Sequence, residues 1–288
     1  MHSMVTRVTR KPAVAGMFYE ASRDGLINQI KWAIEHEIGP KSTMNVKEDK
    51  QYVLSVVAPH AGYVYSGPVA AHAYVEVGKY AKPKVFIIIG PNHYGVGSPA
   101  AIMTSGEWET PLGKVEVDEE LASQIKARVK DLAEDPIAFE REHSVEVQVP
   151  FIQYLFPGSR IVPIVLWNQT IDMARRLGSA ISEVVNGRAG EVVLVASSDL
   201  NHYEPHEVTT DKDMRVIEHV LNMDEEGFYS TMEKYDVSVC GFGAIMAAIV
   251  YSRKQGATGV KLLKHATSGD TSGYLLETVG YASIAFYK

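Results

Sequence analysis

One cysteine, Cys240, is all the thiol this chain carries. A lone thiol cannot close an intrachain disulfide, so no disulfide framework holds the fold and a reducing compartment is expected. The same shortage excludes every zinc finger built on paired cysteines. Long apolar runs are missing too. No window approaches the roughly 18 uninterrupted apolar residues of a membrane-spanning helix, and the N-terminal MHSMVTRVTRKP has no apolar signal core. Basic charge is scarce: 28 Lys and Arg stand against 35 Asp and Glu, for a formal net charge of −7. That balance excludes a surface built to neutralise nucleic-acid phosphates. The expectation is a cytoplasmic protein with neither a nucleic-acid nor a membrane partner. The short basic cluster from Arg7 to Lys11 reads as a solvated end, and residues 1–11 as a flexible or extended N-terminus. Fixed catalytic motifs are absent as well: there is no GxSxG, no GxxxxGK[ST] and no HExxH. GVGSPA from Gly95 has a GxGxxA spacing, but Pro99 stands where the helix should be running.

What remains is the composition of a globular protein, 46% hydrophobic and 22% charged. Its 288 residues hold no repeat, no low-complexity tract and no Pro/Gly/Ser-rich linker, so 1–288 reads as one domain. Strand-like runs are Tyr52–Ala58, Lys84–Gly90, Ile161–Leu166, Glu191–Ser197 and Tyr281–Tyr287. The middle ones are nearly continuous Val, Ile and Leu, the pattern of strands buried on both faces. Helical periodicity falls between them, at Ser22–Glu37, Asp118–Lys130, Thr170–Val185, Asp211–Leu221 and Phe242–Lys254. Between Ala101 and Val117 a hairpin is expected, with its turn near Pro111–Gly113. Alternating strands and helices predict an α/β fold: three α/β/α layers with a mostly parallel central sheet.

In such sheets ligands gather beyond the carboxyl ends of the strands. Three strand-like runs end in polar groups there: His60 in APHAGYVYSG, His93 in GPNHYG, and Asp199 with His202 in SSDLNHY. Imidazole is the commonest protein metal ligand and needs an orienting partner on its other nitrogen. Each group alone has a plain structural reading, as a loop histidine or a cap; together they point to a shared site. Cys240 is expected at the start of a helix, where the dipole favours a thiolate suited to nucleophilic attack or to a soft metal. In REHSVEVQVPF, His143 and Glu146 are one helical turn apart, so both could face one cleft. His36, His72 and His219 read as packing or surface groups.

Six ordered motifs, PAVAGMFY, APHAGYVYSG, GPNHYG, EREHSVEVQVPF, SSDLNHY and CGFGAI, resemble those of the Memo family from about Pro12 to Tyr287. That family is similar in fold to the class III extradiol ring-cleavage dioxygenases (LigB-like), which use non-haem Fe(II). The resemblance implies a metal site of His60, His93 and Cys240. It implies a catalytic set of His202, Asp199 and His143, with Asp199 orienting His202. Tyr63, Asn92, Tyr94 and Glu146 are expected as pocket contacts. The dioxygenases use two histidines and a carboxylate; here a thiolate stands third, which speaks against ring cleavage while leaving metal binding in place. The expected cofactor is one transition-metal ion, iron or copper, with zinc a third choice. The expected function is a metal-dependent oxidoreductase of unknown substrate. The alternative is a non-catalytic module whose old active-site cleft captures a small molecule or a peptide.

Overall fold

The structure, a computed structural model, describes residues 8–42, 51–80 and 82–288. In chain order its first half holds β1 (Thr9–Arg10), α1 (Arg23–Glu35), β2 (Val53–Ala58), α2 (Tyr63–Tyr80), β3 (Val85–Pro91), β4 (Ala100–Ile102), β5 (Glu107–Thr110), β6 (Gly113–Glu116), α3 (Glu119–Arg128) and β7 (Ala133–Glu134). Then come α4 (Val149–Leu155), β8 (Arg160–Leu166), α5 (Ile171–Val184), β9 (Val192–Ser197), β10 (His202–Glu204), α6 (His206–Leu221), α7 (Glu225–Tyr235), α8 (Phe242–Lys254), β11 (Gly259–Thr267), α9 (Ser268–Ser272) and β12 (Thr278–Tyr287).

The centre of the main sheet is parallel, in the order β2, β9, β3, β8. Ser55 stands opposite Leu194, Ile87 opposite Leu194, and Ile88 opposite Pro163. Every residue of β2, β3 and β9 is buried. That burial explains the continuous Val/Ile runs, since neither face of these strands meets water. The flanks are antiparallel: β12 closes on β2, and β4 closes on β8. On the helical side, α2 packs on β2 and β12 and is backed by α1, while α8 packs on β2, β9 and β3 and is backed by α5. The expected α/β class with helical layers about a central sheet is what forms. Among the described residues no helix is long and apolar enough to cross a membrane.

The expected solvated end from Arg7 to Lys11 is corrected at Arg10; residues 1–7 lie outside the described residues. Thr9 and Arg10 form β1, parallel to β5, with Thr9 opposite Glu107. Arg10 is buried. Its guanidinium pairs with Glu146, donates to the carbonyls of Phe139 and Glu142, and lies 4.5 Å over the Trp108 ring. A basic residue near a chain end looks solvated until its buried acid is known. The expected hairpin is also shorter. Only β5 and β6 form it, turning at Pro111 and Leu112, while Ala100–Ile102 leave it to join the main sheet.

Two glycines let loops close on the strand ends. A Cβ on Gly90 would stand 2.3 Å from Ser144 Oγ, and one on Gly241 would stand 2.4 Å from the Ser197 carbonyl. Without a side chain at these points, the loop carrying His143 and the start of α8 can both press against the sheet edge where the site lies.

Candidate metal centre

Parallel strands bring residues far apart in sequence to one edge. His60, His93 and Asp199 each stand two residues beyond the end of β2, β3 and β9 respectively. Cys240 stands two residues before α8, and Gly241 caps that helix. The donor atoms of His60, His93 and Cys240 lie within 4.8 Å of one another, and Cys240 Sγ is 3.2 Å from His60 Nε2. This is a mixed nitrogen and sulfur set at the spacing a single ion requires.

Hydrogen bonds fix which ring nitrogens are free. The Ser197 hydroxyl spends its one proton on the Ser144 carbonyl at 2.6 Å. Toward His60 Nδ1, 2.9 Å away, it can therefore only accept. His60 thus carries its proton on Nδ1 and presents a bare Nε2 to the sulfur. Gln148 steadies the same hydroxyl, with Nε2 donating at 2.8 Å. His93 Nδ1 donates to Glu142 Oε1 at 2.8 Å, so its Nε2 is likewise bare. Glu142 also accepts from the backbone amides of His143 and Ser144 at 2.9 and 2.8 Å. Burial pushes the Glu142 carboxyl up, but the His93 hydrogen bond and the nearby imidazoles outweigh it and hold the group at about 2. An imidazole backed by a carboxylate or hydroxyl is an oriented metal ligand. Burial, and then His93 beside it, hold His60 well below its ordinary value, so it is neutral and able to coordinate.

Cys240 corrects one expectation. Burial first, and Asp199 second, push its thiol above the ordinary value, so no helix dipole prevails over them. A bound cation reverses that balance, because a coordinated thiol gives up its proton. The expectation that Asp199 orients His202 is corrected too. His202 Nδ1 donates to the Ser238 carbonyl at 2.8 Å, and Asp199 Oδ1 accepts the His60 amide at 2.8 Å. Asp199, His202 and Cys240 still form a second group of donors within 4.8 Å, sharing the one sulfur. Burial pushes the Asp199 carboxyl up.

A cleft of about 560 Å³ opens over these residues. His60, His93, His143, Asp199 and His202 line it, with Phe18, Tyr65, Tyr203, Tyr274 and Tyr281 as its aromatic walls. His143 stacks on His93 at 4.4 Å and 12°, with Phe18 at 4.6 Å. Its Nδ1 is buried and has no hydrogen-bond partner among the described residues. Burial, then His60 and His93, hold His143 at about 4. A second cavity of about 580 Å³ shares His202 and Tyr203 with the first and reaches Cys240 beside Ser238.

The four expected pocket contacts are not in this lining. Tyr63 is buried, its hydroxyl donating to the Val147 carbonyl at 2.6 Å. Asn92 is spent on its own loop, donating to the Val96 carbonyl and accepting from Gly95 N. Tyr94 lies outside the cleft under the Arg141 guanidinium, 5.3 Å away. Glu146 is fully buried, facing Arg10 and the amides of Ala13 and Val14. His143 reaches the cleft and Glu146 does not, because His143 stands outside any helix and a non-helical turn at Ser144–Val145 separates it from the 3₁₀ segment that starts at Glu146. Sequence reasoning missed the walls Phe18, Tyr274 and Tyr281 and the orienting groups Ser197, Ser238 and Gln148. Ser197 stood in view, in SSDLNHY, where it reads as a cap.

Comparison with known proteins agrees with the motifs. The family described as Memo-like protein matches residues 10–285. A MEMO1 family protein of Caldivirga maquilingensis is 90% identical over 281 residues, covering 98% of this chain and 100% of its own. One from Pyrobaculum aerophilum is 55% identical over 279 residues, covering 97% and 99%. Among solved structures, an uncharacterized protein of Escherichia coli K12 matches with a TM-score of 0.47 at 10% identity, over 81% of this chain and 99% of that one. The match across almost the whole length, at these identities, places this chain in the Memo family.

Proposed function

We propose that this protein is a metal-dependent oxidoreductase in which His60, His93 and Cys240 hold one transition-metal ion, iron or copper before zinc. The observation that carries the reading is the pair of bare Nε2 atoms, each oriented from behind, aimed with the thiol at one point beside a cleft. A redox metal held by these residues would supply an electron path between a bound organic substrate and an oxidant such as O₂.

The chain's own residues bind and move protons. His202, with its proton held on Nδ1 by Ser238, keeps Nε2 for taking a proton from substrate. Phe18 and Tyr281 wall the cleft, and His143 stacks on His93 at its edge. A catechol oxidised here would lose two electrons and two protons and leave as its quinone, and O₂ taking both would leave as hydrogen peroxide. The thiolate donates more charge than a carboxylate and is itself oxidisable, which favours oxidation without ring opening.

The test is metal content of anaerobically purified protein, followed by O₂ uptake with a catechol panel. About one ion per chain is expected in the native protein, strongly reduced in His60→Ala and Cys240→Ala. Uptake should fall with the metal, and no ring-opened product should accumulate. Full metal occupancy in Cys240→Ala would sink the reading. A second reading, capture without turnover, draws on the exposed rings of Tyr65, Tyr203 and Tyr274 at the cleft; ligand binding with no O₂ uptake is its signature.

A further inference from the structure

The cleft is rich in rings and acid and poor in cations. Besides its aromatic walls it carries the carboxylates of Asp199 and Glu277, and none of its lining residues is Lys or Arg. The two acids differ. Asp199 is buried and committed to the His60 amide. Glu277 is exposed and has no hydrogen-bond or ion-pair partner among the described residues. Of the two serine hydroxyls, Ser272 Oγ spends its proton on the Ser268 carbonyl at 2.7 Å, while Ser268 Oγ accepts from Val279 N at 3.0 Å and is one neutral donor, not a charge. A carboxylate or phosphate entering here leaves its water and meets the Glu277 carboxylate, with no guanidinium or ammonium to replace that solvation. A cationic nitrogen meets the reverse: ring faces attract it, and one carboxylate is unspent. An ion held by His60, His93 and Cys240 would have its charge answered locally by the Cys240 sulfur and by Asp199 beside it, which leaves Glu277 as the acid a ligand meets.

We propose that the cleft selects ligands carrying a cationic amine, recognised by Glu277, and discriminates against aromatic acids and phosphate esters. The proposal rests on the reading of this cleft as the substrate site and names the class of substrate. A volume of about 560 Å³ is that of a site for small molecules and accommodates an aromatic ring with a short arm. The ring end approaches His60 and His93, and the ammonium arm approaches Glu277.

The experiment is isothermal titration of the metal-loaded protein, without oxygen, against three catechols differing only in the arm at one ring position: aminoethyl, hydroxyethyl and carboxyethyl. The amine should bind at least about tenfold more tightly than the acid, with the neutral alcohol between them. In Glu277→Gln the amine should fall to the level of the alcohol. Equal binding of acid and amine, an amine preference that survives Glu277→Gln, or no binding by any of the three overturns the proposal. Because no oxidant is present, the ranking is independent of turnover. A preserved ranking with no O₂ uptake in air sinks the redox reading alone. Oxidation with a reversed ranking sinks this proposal alone.

Discussion

Replacing Glu146 by leucine removes the acceptor of four groups at once: the Arg10 guanidinium, the amides of Ala13 and Val14, and the Tyr19 hydroxyl. All of them serve the segment that carries Phe18 to the cleft. The Glu146 and Arg10 side chains are 0% and 5% exposed, so solvent cannot take over. Breaking a buried ion pair from one side costs about 3–5 kcal/mol, because the other charge stays behind. Each stranded buried donor adds about 1–3 kcal/mol, though these terms overlap. Arg10 keeps its bonds to the Phe139 and Glu142 carbonyls. Glu146→Leu should therefore lose about 4 kcal/mol of stability. Glu146→Gln keeps one acceptor oxygen but still leaves the Arg10 charge without its counter-charge, and should lose about 3 kcal/mol. Arg10→Met combined with Glu146→Leu should recover part of the single-variant loss, since no charge is then left alone. Urea unfolding at neutral pH, read as midpoint and slope, measures all three. A loss under about 1 kcal/mol for Glu146→Leu, or simple additivity in the double variant, refutes the argument.

Two further outcomes follow from the same geometry. His202→Ala should keep the metal, because His60, His93 and Cys240 remain, while O₂ uptake drops on the order of a hundredfold if His202 is the acid–base group; loss of the metal would make His202 a ligand instead. Glu225 is held at about 2 by hydrogen bonds from Arg253, which outweigh the opposing effect of burial. Its folded value lies below its ordinary one, so its stabilisation is present above about pH 4.5 and lost as pH falls toward 2. The stability gap between native protein and Glu225→Gln should be full at pH 7 and fade across that window, and a gap that widens on acidification has the sign wrong.

The parallel heart of the fold was legible because its signal is local. Buried strands such as Val85–Pro91 write their environment into an unbroken apolar run, and the polar groups just past them mark the working edge. The residues at the strand ends, His60, His93 and Asp199, were therefore readable, and so was Cys240 once the motifs were aligned by type. What was not legible depends on contacts across the chain. β4 and β7 are too short to show a period, and β10 exists only through its pairing with β12. Arg10 and Glu146 are 136 residues apart, and nothing local tells a buried pair from two solvated charges. Asn92 and Tyr94 failed as pocket contacts for a related reason. Adjacency to His93 in sequence says nothing about direction, and this loop turns both side chains away from the cleft.

The three proposed ligands are not equally confined. His60 is 1% exposed and sits beneath the Ser197 hydroxyl, whereas the His93 side chain is 28% exposed on the loop after β3. Swinging an imidazole away from an ion requires room and a place in water for the freed nitrogen. His93 has both, His60 has neither, and Cys240 is held between Asp199 and the start of α8. Of the three residues that would hold an ion, His93 is thus the one whose hold would depend on a surface loop, while His60 and Cys240 would depend on the core.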